Sequence, residues 1–171
     1  IKGRDALTSF FSASLDTLPD PMLLPDMEKA CRRIRRAMEN GEKITVYGDY
    51  DVDGITSTTV LYSWLRDRGC TVDYYIPDRT DEGYGLNNGA IKNIRDSGSA
   101  LLITVDTGTT AVSETAYAAS IGLDIVVTDH HECKWDEETS DRDMPKCCAV
   151  VNPKRPDSRY PFPDLAGVGV V

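Results

Sequence analysis

Apolar positions along this 171-residue chain fall into two rhythms. Met27, Cys31, Ile34 and Met38 are spaced four, three and four apart, which is one face of a helix expected to run from Asp26 until Gly41 closes it. After it, short apolar runs alternate with helical patterns. Strands are expected near 43–48, 71–76, 100–105 and 123–128, with a last one at Cys148-Ala-Val-Val151. Helices are expected near 54–68, with Ile55, Thr59, Tyr62 and Leu65 on one side, and near 87–97 and 110–121. Such alternation, with wholly apolar strands, predicts an α/β fold: a mainly parallel sheet of about five strands with helices on both faces. The polar stretch Glu132–Lys146 reads as a surface loop. Residues 1–24 form a weakly patterned lead-in with Phe10, Phe11, Leu15 and Leu18 as expected anchors, and Leu18-Pro-Asp-Pro21 marks a break before a domain over 25–171.

Composition narrows the function. Hydrophobic and charged shares of 40% and 27% are ordinary for a globular domain. Acids outnumber Lys plus Arg by 28 to 19, a net charge of −9, which argues against a surface that grips nucleic acid by general attraction. It does not exclude a nuclease, because a divalent ion inverts the field of an acidic site. The run Arg32-Arg33-Ile34-Arg35-Arg36 reads as a solvated helix face in preference to a DNA-binding patch. Five cysteines without a C-x-x-C spacing predict reduced thiols and a cytoplasmic protein. No apolar run is long enough to span a membrane, and no signal peptide opens the chain.

The chemistry gathers at the ends of the strands, where open α/β sheets bind ligands. Gly48-Asp-Tyr-Asp-Val-Asp-Gly54 places Asp49, Asp51 and Asp53 at alternate positions after Ile44-Thr-Val-Tyr47. In an extended segment these carboxylates share one side. At about 7 Å and an effective dielectric near 20, each pair repels by roughly 2 kcal/mol, so they must splay into water or surround a cation. Two more strands favour the cation: Leu101-Leu-Ile-Thr-Val-Asp106 also ends in Asp, and Ile125-Val-Val-Thr-Asp129 runs into His130-His131. Oxygen and imidazole ligands without thiolate suit Mn²⁺ or Mg²⁺. A pair of such ions can activate water and stabilise a leaving oxygen, the equipment of a phosphoesterase. Taken singly, each Asp reads more simply as a helix cap or turn residue, Asp49 above all; their convergence with the two histidines is what outweighs that. Arg79 is a candidate bidentate phosphate clamp, with an ordinary surface arginine as the alternative. A receiver-like regulatory module with an acidic Mg²⁺ pocket would leave the His pair unexplained.

With Asp49-Tyr-Asp-Val-Asp-Gly54, Asp106 and Asp129-His-His131 in place, the chain resembles the DHH phosphoesterase superfamily. Within it, Tyr75-Ile-Pro-Asp-Arg-Thr-Asp-Glu-Gly-Tyr-Gly-Leu-Asn87, Val150-Val-Asn-Pro-Lys-Arg-Pro156 and Tyr160-Pro-Phe-Pro-Asp-Leu-Ala-Gly-Val-Gly169 look like the RecJ-type single-strand-specific 5′→3′ DNA exonucleases. The resemblance implies Asp51, Asp53, Asp106 and His130 as ligands of a two-ion Mn²⁺/Mg²⁺ centre. It implies His131 as the group facing the scissile phosphate and Asp129 as the residue orienting a ligand histidine. Tyr47 stands where many superfamily members carry a His, which leaves Asp49 to complete the site. A fourth metal-binding motif, a DHH-associated domain and an OB-fold are expected beyond this chain, which alone would be feebly active or inert. A phosphodiesterase for short oligonucleotides or cyclic dinucleotides, or a pyrophosphatase, is the alternative within the superfamily.

Overall fold

The computed structural model describes residues 3–11, 14, 18–78, 83, 85–133, 135–136 and 141–171. Five parallel strands form one sheet in the order β2-β1-β3-β4-β7: Val72–Tyr75 (β2), Ile44–Gly48 (β1), Leu101–Val105 (β3), Asp124–Thr128 (β4) and Ala149–Val151 (β7). Successive side chains on a strand point to opposite faces, and both faces here are apolar. Ile44 and Val46 of β1, Leu101, Ile103 and Val105 of β3 and Val126 of β4 meet Ala30 and Ala37 of α2 (Met27–Glu39), Leu65 of α3 (Val52–Asp67) and Val170 of α6 (Gly167–Val170). Leu102, Ile125, Val127 and Val150 point the other way, onto Ile91 and Ile94 of α4 (Asn88–Asp96) and Ala118 of α5 (Val112–Ser120). Each such Leu, Ile or Val fully withdrawn from water contributes roughly 1.5–3 kcal/mol. The fold class is the expected one, an α/β sheet covered on both sides.

The register does the positioning. Gly48 pairs with Val105, Val105 with Thr128, and Thr128 with Val151. These four neighbouring strands therefore stop level, and the next residues, Asp49, Asp106, Asp129 and Asn152, stand in a row along one rim. The ladder continues one step into this row, since the Asp106 amide donates to Thr128 O and the Asp129 amide to Val151 O, both at 3.0 Å.

Several expectations need correction. Helix α3 begins at Val52 and turns Gly54, Ser57, Thr58 and Leu65 inward, while Ile55 is 45% exposed. Of the expected stripe Leu65 is buried, but Ile55 and Thr59 face outward, because this helix crosses the end of β1 at close range. A Cβ on Gly54 would lie 2.4 Å from the Asp49 carbonyl oxygen, so only glycine fits there. Arg33 is no part of a solvated face: its guanidinium, 11% exposed, bonds Asp124 at 2.6 Å and Glu42 at 2.7 Å, tying α2 to the far end of the sheet. Phe11 of α1 (Arg4–Phe11) and Leu18 are exposed rather than anchored, while Leu15 and the Phe10 side chain lie outside the described residues. The stretch expected to be a loop carries two short antiparallel strands, Trp135–Asp136 (β5) and Asp141–Arg142 (β6). Among the described residues no helix is long and apolar enough to cross a membrane.

Candidate metal centre

The aspartates after β1 do not share one face of an extended strand. The strand ends at Gly48 and the helix begins at Val52, so each carboxylate has its own surroundings. Asp49 is buried, and its Oδ1 accepts the Tyr50 amide at 2.7 Å. Asp51 is the N-cap of α3; its Oδ1 accepts from the amides of Asp53 and Gly54, both at 2.9 Å. The capping role that competed with metal binding in the sequence is thus real, and it occupies one oxygen. Asp53, in the first turn of α3, accepts from the amides of Gly167 at 2.7 Å and Val168 at 2.9 Å, at the start of α6.

Asp106 stands at the centre. It is 1% exposed, and its backbone is left-handed at φ +59, a strained conformation for a non-glycine residue. Its Oδ1 is buried without a hydrogen-bond partner. Gly167 presses on it so closely that a Cβ there would sit 2.7 Å from that same oxygen. One ligand atom from each of Asp49, Asp51 and Asp106 can be found within 4.8 Å of the others, and the same holds for Asp106, His130 and His131. Asp106 belongs to both groups. Asp53 joins neither triple, yet its Oδ2 lies 3.6 Å from His130 Nε2.

The two histidines are held in opposite ways. His130 Nδ1 lies 2.7 Å from the Leu165 carbonyl, which can only accept, so Nδ1 carries the proton. In the neutral ring, Nε2 then presents a lone pair to Asp106 Oδ1 at 3.0 Å. A lone pair facing a carboxylate is repulsive unless a cation lies between or beside them, and a backbone carbonyl behind the imidazole is a common support for a metal-ligating histidine. His131 Nδ1 lies 2.8 Å from Asp129 Oδ1. That hydrogen bond, above the opposing effect of burial, raises the proton affinity of His131. Asp129, 1% exposed, also accepts from the amides of Thr109 at 2.8 Å, His130 at 2.7 Å and His131 at 3.1 Å. Burial works to raise its pKa, yet these donors hold it below the ordinary carboxylate value.

Asp106 shows the reverse. Burial, with the charges of Asp53 and Asp51 adding, pushes its carboxyl up to about 7. A divalent ion among these groups would relieve that penalty, and the donor set of carboxylate oxygens and one deprotonated imidazole nitrogen suits Mn²⁺ or Mg²⁺. The residues present fit such an ion.

The structure thus brings together Asp49, Asp51, Asp106, His130 and His131, with Asp53 and Asp129 in contact with the histidines. It differs from expectation on the partner of Asp129, which holds His131, while the candidate ligand His130 is oriented by a main-chain carbonyl. Tyr47 is wholly buried, stacks on Tyr75 and donates its hydroxyl to Gly85 O at 2.8 Å, so it braces the Gly-rich loop and joins neither donor group. Arg79 lies outside the described residues. Thr109, Asn152, Leu165, Gly167 and Val168 also contact the site residues; their only sequence signal is the Val-Asn-Pro-Lys-Arg and Leu-Ala-Gly-Val-Gly blocks, which contain the last four.

Residues 43–171 match the family model described as "DHH family, N-terminal domain". The single-stranded-DNA-specific exonuclease RecJ of Bacillus subtilis is 47% identical over 151 residues, which is 88% of this chain and 18% of that protein. The RecJ of Escherichia coli is 36% identical over 148 residues, 86% of this chain and 24% of its own length. The chain therefore spans about a fifth to a quarter of these relatives. Among solved structures, an exonuclease RecJ bound to manganese superposes with a TM-score of 0.70 at 32% identity, over 86% of this chain and 35% of that one. RecJ from Thermus thermophilus in complex with Mn²⁺ gives 0.63 at 29% identity, over 86% and 19%.

Proposed function

This chain belongs to the DHH family, and on that premise we propose that it forms the nuclease core of a divalent-metal-dependent exonuclease that degrades single-stranded DNA from the 5′ end. The observation that carries this reading is the buried, unpartnered Oδ1 of Asp106, a residue that belongs both to an all-carboxylate group and to an imidazole-containing one. Mn²⁺ or Mg²⁺ held by Asp49, Asp51 and Asp106 on one side, and by Asp53, Asp106 and His130 on the other, would supply the charge that activates water and polarises a phosphodiester.

The chain's own groups do the rest. Leu165 O keeps the proton of His130 on Nδ1, so Nε2 stays a donor atom. Asp129 holds His131 by Nδ1, which leaves Nε2 as the atom that carries a proton to the leaving oxygen. Asp53 couples its carboxylate to the turn that begins α6, so the place of one ligand depends on that turn. Arg79 remains the proposed phosphate clamp. The domain is taken to begin near residue 25, because Ala30 and Ala37 of α2 belong to the sheet's core.

Relatives are several times longer than the matched region. Surfaces that hold the strand, a DHH-associated domain and an OB-fold by resemblance, are assigned to that further length, since a net charge of −9 makes this chain a poor general grip for phosphate. Five free thiols fit a reducing, cytoplasmic setting, and a single-strand exonuclease fits a role in DNA repair and recombination.

The test is Mn²⁺-dependent cleavage by a protein of the relatives' length carrying this sequence, offered a 5′-phosphorylated single strand, a dinucleotide and pyrophosphate. The single strand is the expected preferred substrate. Preference for the dinucleotide or pyrophosphate would move the enzyme to another branch of the superfamily. Mn²⁺ binding that ignored a His130→Ala change would instead favour a receiver-like pocket.

A further inference from the structure

Asn152 ends the row of strand termini and is completely buried. Its side-chain amide can face only one way. The Lys154 amide donates to Oδ1 at 2.8 Å, while Nδ2 donates to the His131 carbonyl at 2.9 Å and to Thr109 Oγ1 at 2.8 Å. A donor on one side and acceptors on the other fix the oxygen and nitrogen without ambiguity. Thr109 in turn holds the carboxylate of Asp129. The Thr109 amide reaches the same carboxylate at 2.8 Å.

Asn152 therefore reaches His131 twice: directly at its carbonyl, and through Thr109 and Asp129 at Nδ1 of its ring. We infer that Asn152 is a positioning residue that sets the orientation of the His131 imidazole toward the leaving oxygen, an inference that rests on the functional reading of His131 above. Only Asn supplies this pattern. Asp would set an oxygen against the His131 carbonyl and bury a second negative charge beside Asp129. An apolar residue would take the donor from both the His131 carbonyl and the buried Thr109 hydroxyl, at the cost of a buried polar group left short of a partner.

A merely structural brace between β7 and β4 would lower stability and slow every substrate equally. A positioning role slows only the step that needs a proton from His131. In the long protein, Asn152→Ala and Thr109→Val should lower kcat on single-stranded DNA about 10–100-fold, as loss of a supporting partner commonly does, with KM little changed. On an aryl phosphodiester whose p-nitrophenolate leaves without a proton, the loss should shrink below about threefold. Combining Asn152→Ala with His131→Ala should be no slower than His131→Ala alone. Equal losses on both substrates, or multiplying losses in the double variant, overturn the inference.

Hydrogen exchange supplies a second readout without turnover. The amides of Thr109 and His130, both donors to Asp129, should lose protection in Asn152→Ala, and wild-type protection overturns the inference. A wild type that cleaves neither substrate sinks the functional reading, and exchange still decides on Asn152. Thr109→Val, nearly isosteric, carries the test should Asn152→Ala fail to fold.

Discussion

Replacing Asp106 by asparagine should make the metal-free protein more stable and the metal-bound protein less so. The folded carboxyl is pushed from an ordinary value of 3.8 to about 7. A difference of roughly three units is worth about 4 kcal/mol when the group is ionised in both states. The sign follows from linkage. Below the unfolded pKa of 3.8 both states hold the proton and the penalty is absent. As pH rises, the unfolded chain releases the proton first, so folding loses stability until the folded carboxyl ionises near 7 as well. Above that the full penalty persists. Asparagine removes it, and its new NH2 can donate to the lone pair of His130 Nε2, now 3.0 Å from Oδ1. For a chain of this length each kcal/mol moves Tm by about 2–4 °C, so a gain of about 8–16 °C is expected near pH 8 and almost none near pH 4.

Mn²⁺ should reverse the order. At about a hundred times its dissociation constant, an ion bound only by the native state adds about 2.7 kcal/mol per site. Wild type gains this and the variant, lacking the ligand common to both groups, does not. Thermal melts with chelator and with saturating Mn²⁺, at both pH values, contain the whole test. A variant that melts below wild type in chelator near pH 8, or that Mn²⁺ stabilises as much as wild type, would refute the placement of Asp106 at a cation site.

Three further outcomes are expected. Gly167→Ala drives a Cβ to within 2.7 Å of Asp106 Oδ1, so stability should fall by about 1–3 kcal/mol and Mn²⁺ affinity with it, read by melts and calorimetry. Tyr47→Phe leaves the Gly85 carbonyl without its donor and should cost about 1–2 kcal/mol while Mn²⁺ affinity stays within about twofold; a large affinity loss would place Tyr47 at the metal after all. Asp129→Asn breaks the pair in which the carboxyl is held low and His131 held high. The carboxylate's contribution is present above its unfolded 3.8 and fades as pH falls; the imidazole's is complete below its unfolded 6.5 and fades as pH rises through the raised folded value. The stability difference between wild type and Asp129→Asn, from urea melts across pH, should therefore peak between those limits, and a flat difference would contradict the pairing.

What could be read from the sequence was local. A mostly apolar run followed by Asp or Asp-His-His names a strand end and its chemistry within six or seven residues, and the structure brings those ends together. The inward face of α3 was not legible, because Gly54, Ser57 and Thr58 carry no apolar signal and face inward for lack of room. Nor was the orientation of any imidazole. The Leu165 carbonyl that sets His130 lies 35 residues away along the chain. The Gly167 amide that holds Asp53 is 114 residues distant. Both are main-chain groups, and a main-chain donor or acceptor leaves no trace in residue type.

Asp106 and Asp129 show why position on the rim does not by itself make a metal ligand. Both follow paired residues at the ends of neighbouring strands, and both are 1% exposed. What separates them is the supply of donors. Asp129 receives three amides and one imidazole nitrogen, enough to keep a buried carboxylate ionised without a cation. Asp106 turns through a left-handed backbone that carries its Oδ1 away from every amide and against Gly167, where nothing donates to it. An ionised carboxylate in that place costs free energy until positive charge arrives from elsewhere. The one with its donors complete serves to hold a histidine; the one left short is where an ion is needed.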